Sequence, residues 1–314
     1  MTNQVKNTEV SVIIPSLGVS PNLCAVLAGL SNQTLPPVEV IVVHSGEVPL
    51  MGKLPDLPSL KVIEVTKPLL AGEARNLGVE KSTAKFLLFL DDDCLPACDW
   101  VEKLVTQMID QPNQVIVGSV GYQSFGDYWG DSLWLTEFSA LLPTGTGRQV
   151  EGHGASCNLG CPRWVFHRIG GFHNRLATHE DSDFLSRCQS FGIWTYFSPS
   201  IRVRHCNQTP FRDGIRKMFR HGRGARDFRF PEPKYFPFTL LAAPLIGLLR
   251  YFRVLKRVLK IPAKRRSFSL RLLPGVSVML MAWSAGFAVG MPYARRDDGQ
   301  SKEYFFFAPE KASM

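Results

Sequence analysis

A chain of 314 residues, 45% of them hydrophobic, has enough apolar material for a substantial core, which excludes a disordered chain and suits one large domain or one domain with an appendage. The formal net charge of +9 is uneven: Lys and Arg dominate residues 202–229 and 250–271, while the first half is nearly balanced. With no nucleic-acid motif among those bases, nucleic acid is not an expected partner, and phosphorylated substrates or anionic lipid are.

Seven cysteines, an odd number with no signal-peptide pattern ahead of them, lead to the expectation of a reducing compartment. Cys94 with Cys98 and Cys157 with Cys161 share the spacing C-x3-C. A zinc site joining them is one reading; ordinary core packing is the other, because structural zinc sites favour tighter pairs.

The chain opens on an alternation of strands and helices. "EVSVIIPS", residues 9–16, is a β-branched run stopped by Pro15, and "VEVIVVHSG", residues 38–46, repeats it after a helical stretch over 21–31. A short strand, "KVIEV", a helix over 72–81, "GEARNLGVEK", and a strand, "KFLLFL", follow. Such alternation calls for a parallel sheet covered by helices. A helix over 99–110, with Asp99 as its expected N-cap, and the strand "VIVGSVGY" continue it.

The apolar run Phe86–Leu90 ends directly on Asp91, Asp92 and Asp93. A run this short reads as a strand buried on both faces, and the C-terminal end of such a strand is where open α/β sheets bind ligands. Three adjacent carboxylates repel one another and resist joint desolvation, so they call for either a bound cation or an open, solvated turn.

A second informative stretch is "GHGASCNLGCPRWVFHRIGGFHNRLATHEDSDFLSRCQSFG", residues 152–192. It reads as a small-residue segment over 152–158, a helix over 163–169, a turn at Gly170-Gly171, and a second helix that starts near Glu180 and stops at Gly192. Glu180 and Asp181 fall in its first turn, where free amides and the helix dipole favour negative charge. N-capping by Asp181 or Asp183, and an ion pair from Asp183 to Arg187, are the structural roles open to these acids.

Near the C-terminus, "LLPGVSVMLMAWSAGFAVGMPY", residues 272–293, is uncharged and long enough to cross a hydrocarbon core of about 30 Å as a helix. Residues 235–249 are also apolar but are interrupted by Pro237 and Pro244, which suits an interfacial or re-entrant segment. The basic stretch between them is expected beside anionic lipid on the cytoplasmic side, while Arg295 and Arg296 pull the topology the other way.

The order "VSVIIPS", "VEVIVV", "GEARNLG", "FLLFLDDDCLP", "SCNLGCPRWVFHRIGGF" and "HEDSDFLSRCQSFG" resembles a bacterial inverting glycosyltransferase of family 2 across residues 9–206. The resemblance implies the GT-A nucleotide-diphospho-sugar transferase fold, a mostly parallel central sheet flanked by helices, over residues 1–230. Residues 231–314 would then form a basic, apolar, membrane-associated region. It also implies the site. In the family's D-x-D motif, Asp91 and Asp93 hold Mg²⁺ or Mn²⁺ on the donor diphosphate, and Asp92 faces the sugar or ribose. In the family's E-D pair, Asp181 is the base that takes the proton from the acceptor hydroxyl, and Glu180 assists. Pro15, Ser16, Arg75 and Asn76 match donor-binding positions, with Arg75 as a phosphate partner. His205 falls where some relatives place a third metal ligand, or is structural. "RHGRGARDF", residues 220–228, is either a mobile loop closing over the diphosphate or a surface patch.

Two departures bear on the nucleotide. His44, Ser45 and Gly46 stand where many relatives carry acids, and Ser16, Leu17 and Gly18 replace an aromatic residue and Asn. The implied function is transfer of a sugar, with inversion, from a nucleotide-sugar donor to a glycan or lipid-linked glycan acceptor. It would take place at the cytoplasmic face of the inner membrane, in contact with membrane lipid, during cell-surface polysaccharide assembly. A polyprenyl-phosphate sugar transferase and a non-catalytic nucleotide-binding subunit are the alternatives.

Overall fold

The β-branched run after Glu9 forms strand β1 (Val10–Leu17), and after helix α1 (Leu23–Ser31) the second run forms β2 (Glu39–Ser45). Strand β3 (Leu60–Val65), helix α2 (Ala71–Glu80) and strand β4 (Phe86–Leu90) complete a parallel unit in the order β3-β2-β1-β4. Every residue of β2 is buried, as expected for a strand covered on both faces. Helix α2 lies hard against β1, since a Cβ on Gly78 would stand 2.5 Å from Ile13 Cγ2. This is a computed structural model that describes residues 9–290 except 19, 51–53, 56, 124–125, 153, 207 and 231.

Beyond β4 the chain turns back on itself. Strand β5 (Cys94–Pro96), helix α3 (Trp100–Asp110), strand β6 (Gln114–Gln123), helix α4 (Tyr128–Phe138) and strands β7 (Arg148–Val150) and β8 (Asn158–Pro162) follow. Helices α5 (Arg163–Ile169) and α6 (Glu180–Ser190) then lead into β9 (Trp194–Cys206). Strand β8 runs antiparallel between β4 and β6, so the sheet is parallel on its N-terminal side and mixed beyond. Short β5 pairs antiparallel with β9, which sets Cys94 opposite His205. That pairing carries His205 to the acids from more than a hundred residues away.

Buried Asn158 fastens this centre. Trp100 Nε1 donates to its Oδ1 at 2.8 Å, and its Nδ2 donates to the carbonyls of Ser119 and Ile201. A Cβ on Gly118 would meet that amide at 2.2 Å, so the strand has to carry glycine there.

The C-terminal segment differs from expectation in three ways. Residues 220–228 are not a loop: they lie inside helix α7 (Phe211–Arg229), whose Gly222 would place a Cβ 1.9 Å from the Trp283 carbonyl. Backbone contact this close fixes α7 and removes the mobile-loop reading. Residues 236–249 are not interrupted either, because helix α8 (Phe236–Leu259) runs through Pro244, and Pro237 sits in its first turn, where a missing N–H is harmless.

Last, after helix α9 (Ala263–Arg271), the stretch expected to span a membrane forms helix α10 (Leu273–Val289), of 17 residues. Its Val276, Met279, Trp283 and Phe287 are buried, and it packs against α7, α8 and α4. Tyr293, Arg295 and Arg296 lie outside the described residues. Among the described residues, the helix long and apolar enough to cross a membrane is α8, with a mean hydropathy of 1.5 over an 18-residue window.

Candidate active site

The parallel pairing of β1 and β4 puts the end of β1 beside the three acids, and Ser16 Oγ donates to Asp92 Oδ2 at 2.8 Å. Pro15 and Ser16 therefore sit on the Asp92 side. Burial pushes the Asp92 carboxyl up to about 6, with the Ser16 bond opposing the rise and Asp93 and Asp91 adding to it. At the end of β2, His44 is buried and its Nε2 lies 2.8 Å from the Val48 carbonyl oxygen.

Asp91 and Asp93 open instead onto a cavity of about 510 Å³, which Glu180, Asp181 and His205 also line. Arg75 joins the two sets of acids. From buried α2 it donates through Nη2 to Asp91 Oδ1 at 2.7 Å and through Nη1 to Glu180 Oε1 at 2.8 Å. Burial alone would lower the guanidinium's pKa; Asp91 and Glu180 outweigh it and raise it. With a side chain 3% exposed and a carboxylate on each Nη, Arg75 acts as a strut between the two sets of acids, and it lines the cavity where the phosphate partner is expected. The amide of Asn76 clasps the Phe172 backbone in both directions and bonds Asn174, so it fixes the turn before α6.

Asp181 stands in the first turn of α6, where its Oδ1 accepts from the Ser182 amide at 2.6 Å. Burial and the neighbouring Glu180 push its carboxyl up to about 7, against the Ser182 amide and Arg75. The preceding residue, His179, holds φ at 68°, a left-handed conformation that strains a non-glycine residue. Helix α7 presses from behind: a Cβ on Gly224 would lie 1.9 Å from Thr178 Oγ1. Asp183 takes the structural role open to it, an ion pair to Arg187 at 2.7 Å, while Arg187 also donates to the carbonyls of Ile169 and Gly171.

At the other acid set, His205 Nε2 lies 3.4 Å from Asp93 Oδ2, and the ligand atoms of Asp93, Cys94 and His205 fall within 4.8 Å of one another. Burial pushes the Cys94 thiol up, and its Sγ donates to Asp93 Oδ1 at 3.4 Å, so it is protonated rather than a thiolate. A carboxylate and an imidazole without a thiolate suit a hard divalent cation. The zinc alternative does not assemble, since Cys98 is exposed and Cys161 lies in the core with Cys188. No disulfide joins the seven cysteines.

Sequence reasoning missed a third group on this cavity. Lys217 Nζ of α7 pairs with Glu137 Oε2 of α4 at 2.9 Å, and His221 Nδ1 lies 3.5 Å from Glu137 Oε1. Lys217 and His221 are four residues apart, the spacing of one helix face, but that signal is visible only once the segment is known to be helical.

Comparison with known proteins agrees with this architecture. The sequence matches Glycosyl transferase family 2 over residues 11–170. Glycosyltransferase AglE of Haloferax volcanii is 25% identical over 224 residues, covering 68% of this chain and 72% of that protein. The pre-mycofactocin glycosyltransferase of Mycobacterium tuberculosis is 29% identical over 161 residues, covering 48% of this chain and 33% of that protein. Among solved structures, the mannosyltransferase PcManGT from Pyrobaculum calidifontis, in complex with GDP-Man and Mn²⁺, has a TM-score of 0.55 at 18% identity, covering 89% of this chain and 86% of that one. GalNAc-T7, with UDP, GalNAc and Mn²⁺, has a TM-score of 0.51 at 16% identity, covering 66% of this chain and 45% of that one. Both likenesses show the GT-A fold. A match over 160 of 314 residues, on a sheet that sets the acids after β4 and those of α6 around one cavity, makes this chain a member of glycosyl transferase family 2.

Proposed function

We propose that the chain transfers a sugar from a nucleotide-diphosphate donor to a hydroxyl of a glycan or lipid-linked glycan, with inversion. The observation that carries this is the pairing on one cavity of a cation-suited group, Asp93 with His205, and a carboxylate, Asp181, poised near neutral pH. A divalent cation, Mn²⁺ or Mg²⁺, held there by Asp93 and His205 with Asp91 beside them, would offset the charge that develops on the diphosphate leaving group. Asp181 takes the proton from the acceptor hydroxyl as it attacks the anomeric carbon from the face opposite the nucleotide. Glu180 is held by Arg75 and serves to position rather than to accept the proton. Solved relatives in complex with UDP or GDP-Man and Mn²⁺ support a nucleotide-sugar donor. The test is release of free nucleotide from a panel of nucleotide sugars, with Mn²⁺ or a chelator, in the presence of a membrane lipid extract. No release above a protein-free blank for any donor would remove the proposal.

Membrane association at the cytoplasmic leaflet belongs to the same proposal, but through α8 and not α10. Phe238, Leu241, Leu245, Leu248 and Phe252 recur at spacings of three and four residues and are all at least half exposed, Leu241 to 81%. Arg250, Arg253 and Arg257 on the same helix line the cavity, so the helix suits lying on the bilayer surface and would have to bury charge in order to cross it. Leu241→Glu/Leu245→Glu should cut flotation with phosphatidylglycerol-containing vesicles by about tenfold or more. Undiminished flotation of that variant would exclude this face.

A further inference from the structure

The wall of the cavity built by the C-terminal helices carries four arginines. Arg229 ends α7, and Arg250, Arg253 and Arg257 succeed one another on α8 at spacings of three and four, which places them on one helix face. Among the described residues, no carboxylate lies within ion-pair distance of any of the four. Other cations in the protein's interior have such partners: Arg75 has Asp91 and Glu180, Lys217 has Glu137, and Arg226 has Asp227. Arg250 is held with its guanidinium 4.4 Å from the centre of the Trp283 ring, and its buried Nε has no hydrogen-bond partner. Arg257 donates to Ser139 Oγ at 3.1 Å. Glu137, an acid on the same cavity, is already engaged by Lys217 and His221.

Four like charges on one cavity wall repel one another, and an anion relieves that repulsion. Planar guanidinium groups recognise phosphate oxygens in pairs, which makes phosphate the fitting anion. The location indicates where it comes from. The arginine face lies roughly a third of a turn round α8 from the apolar stripe, and Leu249, half exposed and one turn from Arg253, stands on the border between them. A phosphate at a bilayer surface would meet the arginines while its hydrocarbon chain stays against the stripe. Neither α7 nor α8 falls within residues 11–170, so the family match does not account for this feature.

We propose that Arg229, Arg250, Arg253 and Arg257 bind the phosphate or pyrophosphate of a lipid-linked acceptor and hold its sugar hydroxyl towards Asp181. The proposal rests on the transferase reading for the hydroxyl, but the anion site itself can be tested without it.

The full chain in neutral detergent micelles, with chelator and no nucleotide, is titrated by calorimetry with farnesyl diphosphate, farnesol and inorganic pyrophosphate. The variant is Arg229→Gln/Arg253→Gln, two exposed side chains outside any ion pair, with a thermal melt to confirm its fold. Arg250→Lys is the second variant, keeping the charge at Trp283 but not the planar fork. Farnesyl diphosphate should bind at least about tenfold more tightly than farnesol or inorganic pyrophosphate, and the double variant should lose about tenfold of that affinity. Its Mn²⁺-dependent affinity for nucleotide sugar should move less than about twofold. Arg250→Lys should weaken farnesyl diphosphate in the same direction. Equal binding of farnesol, or an unchanged double variant, would overturn the anion site. Inorganic pyrophosphate binding as tightly as farnesyl diphosphate would overturn the lipid source. An equal loss of nucleotide-sugar affinity would assign the arginines to the donor instead. A wild-type chain that binds farnesyl diphosphate through these arginines but binds no nucleotide sugar upholds the anion site and removes the transferase reading.

Discussion

Replacing Asp181 with Asn should lower sugar transfer to a hydroxyl acceptor by about a hundredfold or more, while Mn²⁺-dependent donor binding survives. Asn keeps the size of the side chain and can still accept from the Ser182 amide, but it cannot take a proton. The wild-type rate should rise with pH through about 7, where burial and Glu180 have pushed the Asp181 carboxyl, and the residual rate of the variant should be flat there. The same shift gives a stability signature. Because the folded pKa stands above the ordinary 3.8, the neutral acid contributes stability that is complete below that value and is lost as pH rises through about 7. Asp181→Asn should therefore melt higher than wild type above neutrality and close to it in acid. Asp183→Asn should do the opposite, losing stability through Arg187, which ties Asp183 to the turn after α5. Near-normal turnover of Asp181→Asn on a hydroxyl acceptor would remove Asp181 as the base.

Chelation, or Asp93→Ala, should weaken nucleotide-sugar binding by at least about tenfold and abolish turnover, and His205→Gln should give a smaller loss in the same direction. The reasoning is charge balance: a diphosphate entering beside Asp91 and Asp93 meets repulsion unless a cation stands between them. Cys94→Ala should leave that affinity within about twofold, since Mg²⁺ and Mn²⁺ take oxygen and imidazole ligands in preference to a thiol, and the Cys94 thiol already donates to Asp93. Calorimetry with Mn²⁺ and with chelator separates these cases. Equal affinity in wild type and Asp93→Ala, with and without metal, would end the metal assignment.

The parts legible in the sequence are those in which local pattern and final environment agree. β1, β2 and β4 are apolar runs bounded by Pro, Gly or acids, and they form the buried parallel unit expected of them. Helix α5 and the Asp183–Arg187 pair follow from spacing alone. What stayed hidden depends on contacts distant in sequence. "NLGCP" has no β-branched residue and contains Gly and Pro, and it becomes strand β8 because β4 and β6 flank it. Gly222 and Gly224 weaken the helical signal of α7 for the same reason that α7 can exist, because α10 and Thr178 approach too closely for any side chain. The strut role of Arg75 needs Glu180, 105 residues away, and Lys217 meets Glu137 across 80. No periodicity reports such meetings.

The central claim is an inverting displacement assisted by Asp181, and the anomeric configuration of the product tests it most directly. The purified full chain is given an α-linked nucleotide sugar that supports Mn²⁺-dependent nucleotide release, together with its lipid-linked acceptor, and the new linkage is followed by NMR from the first turnovers. A β-linked product is the expected result, and an α-linked product would contradict the account.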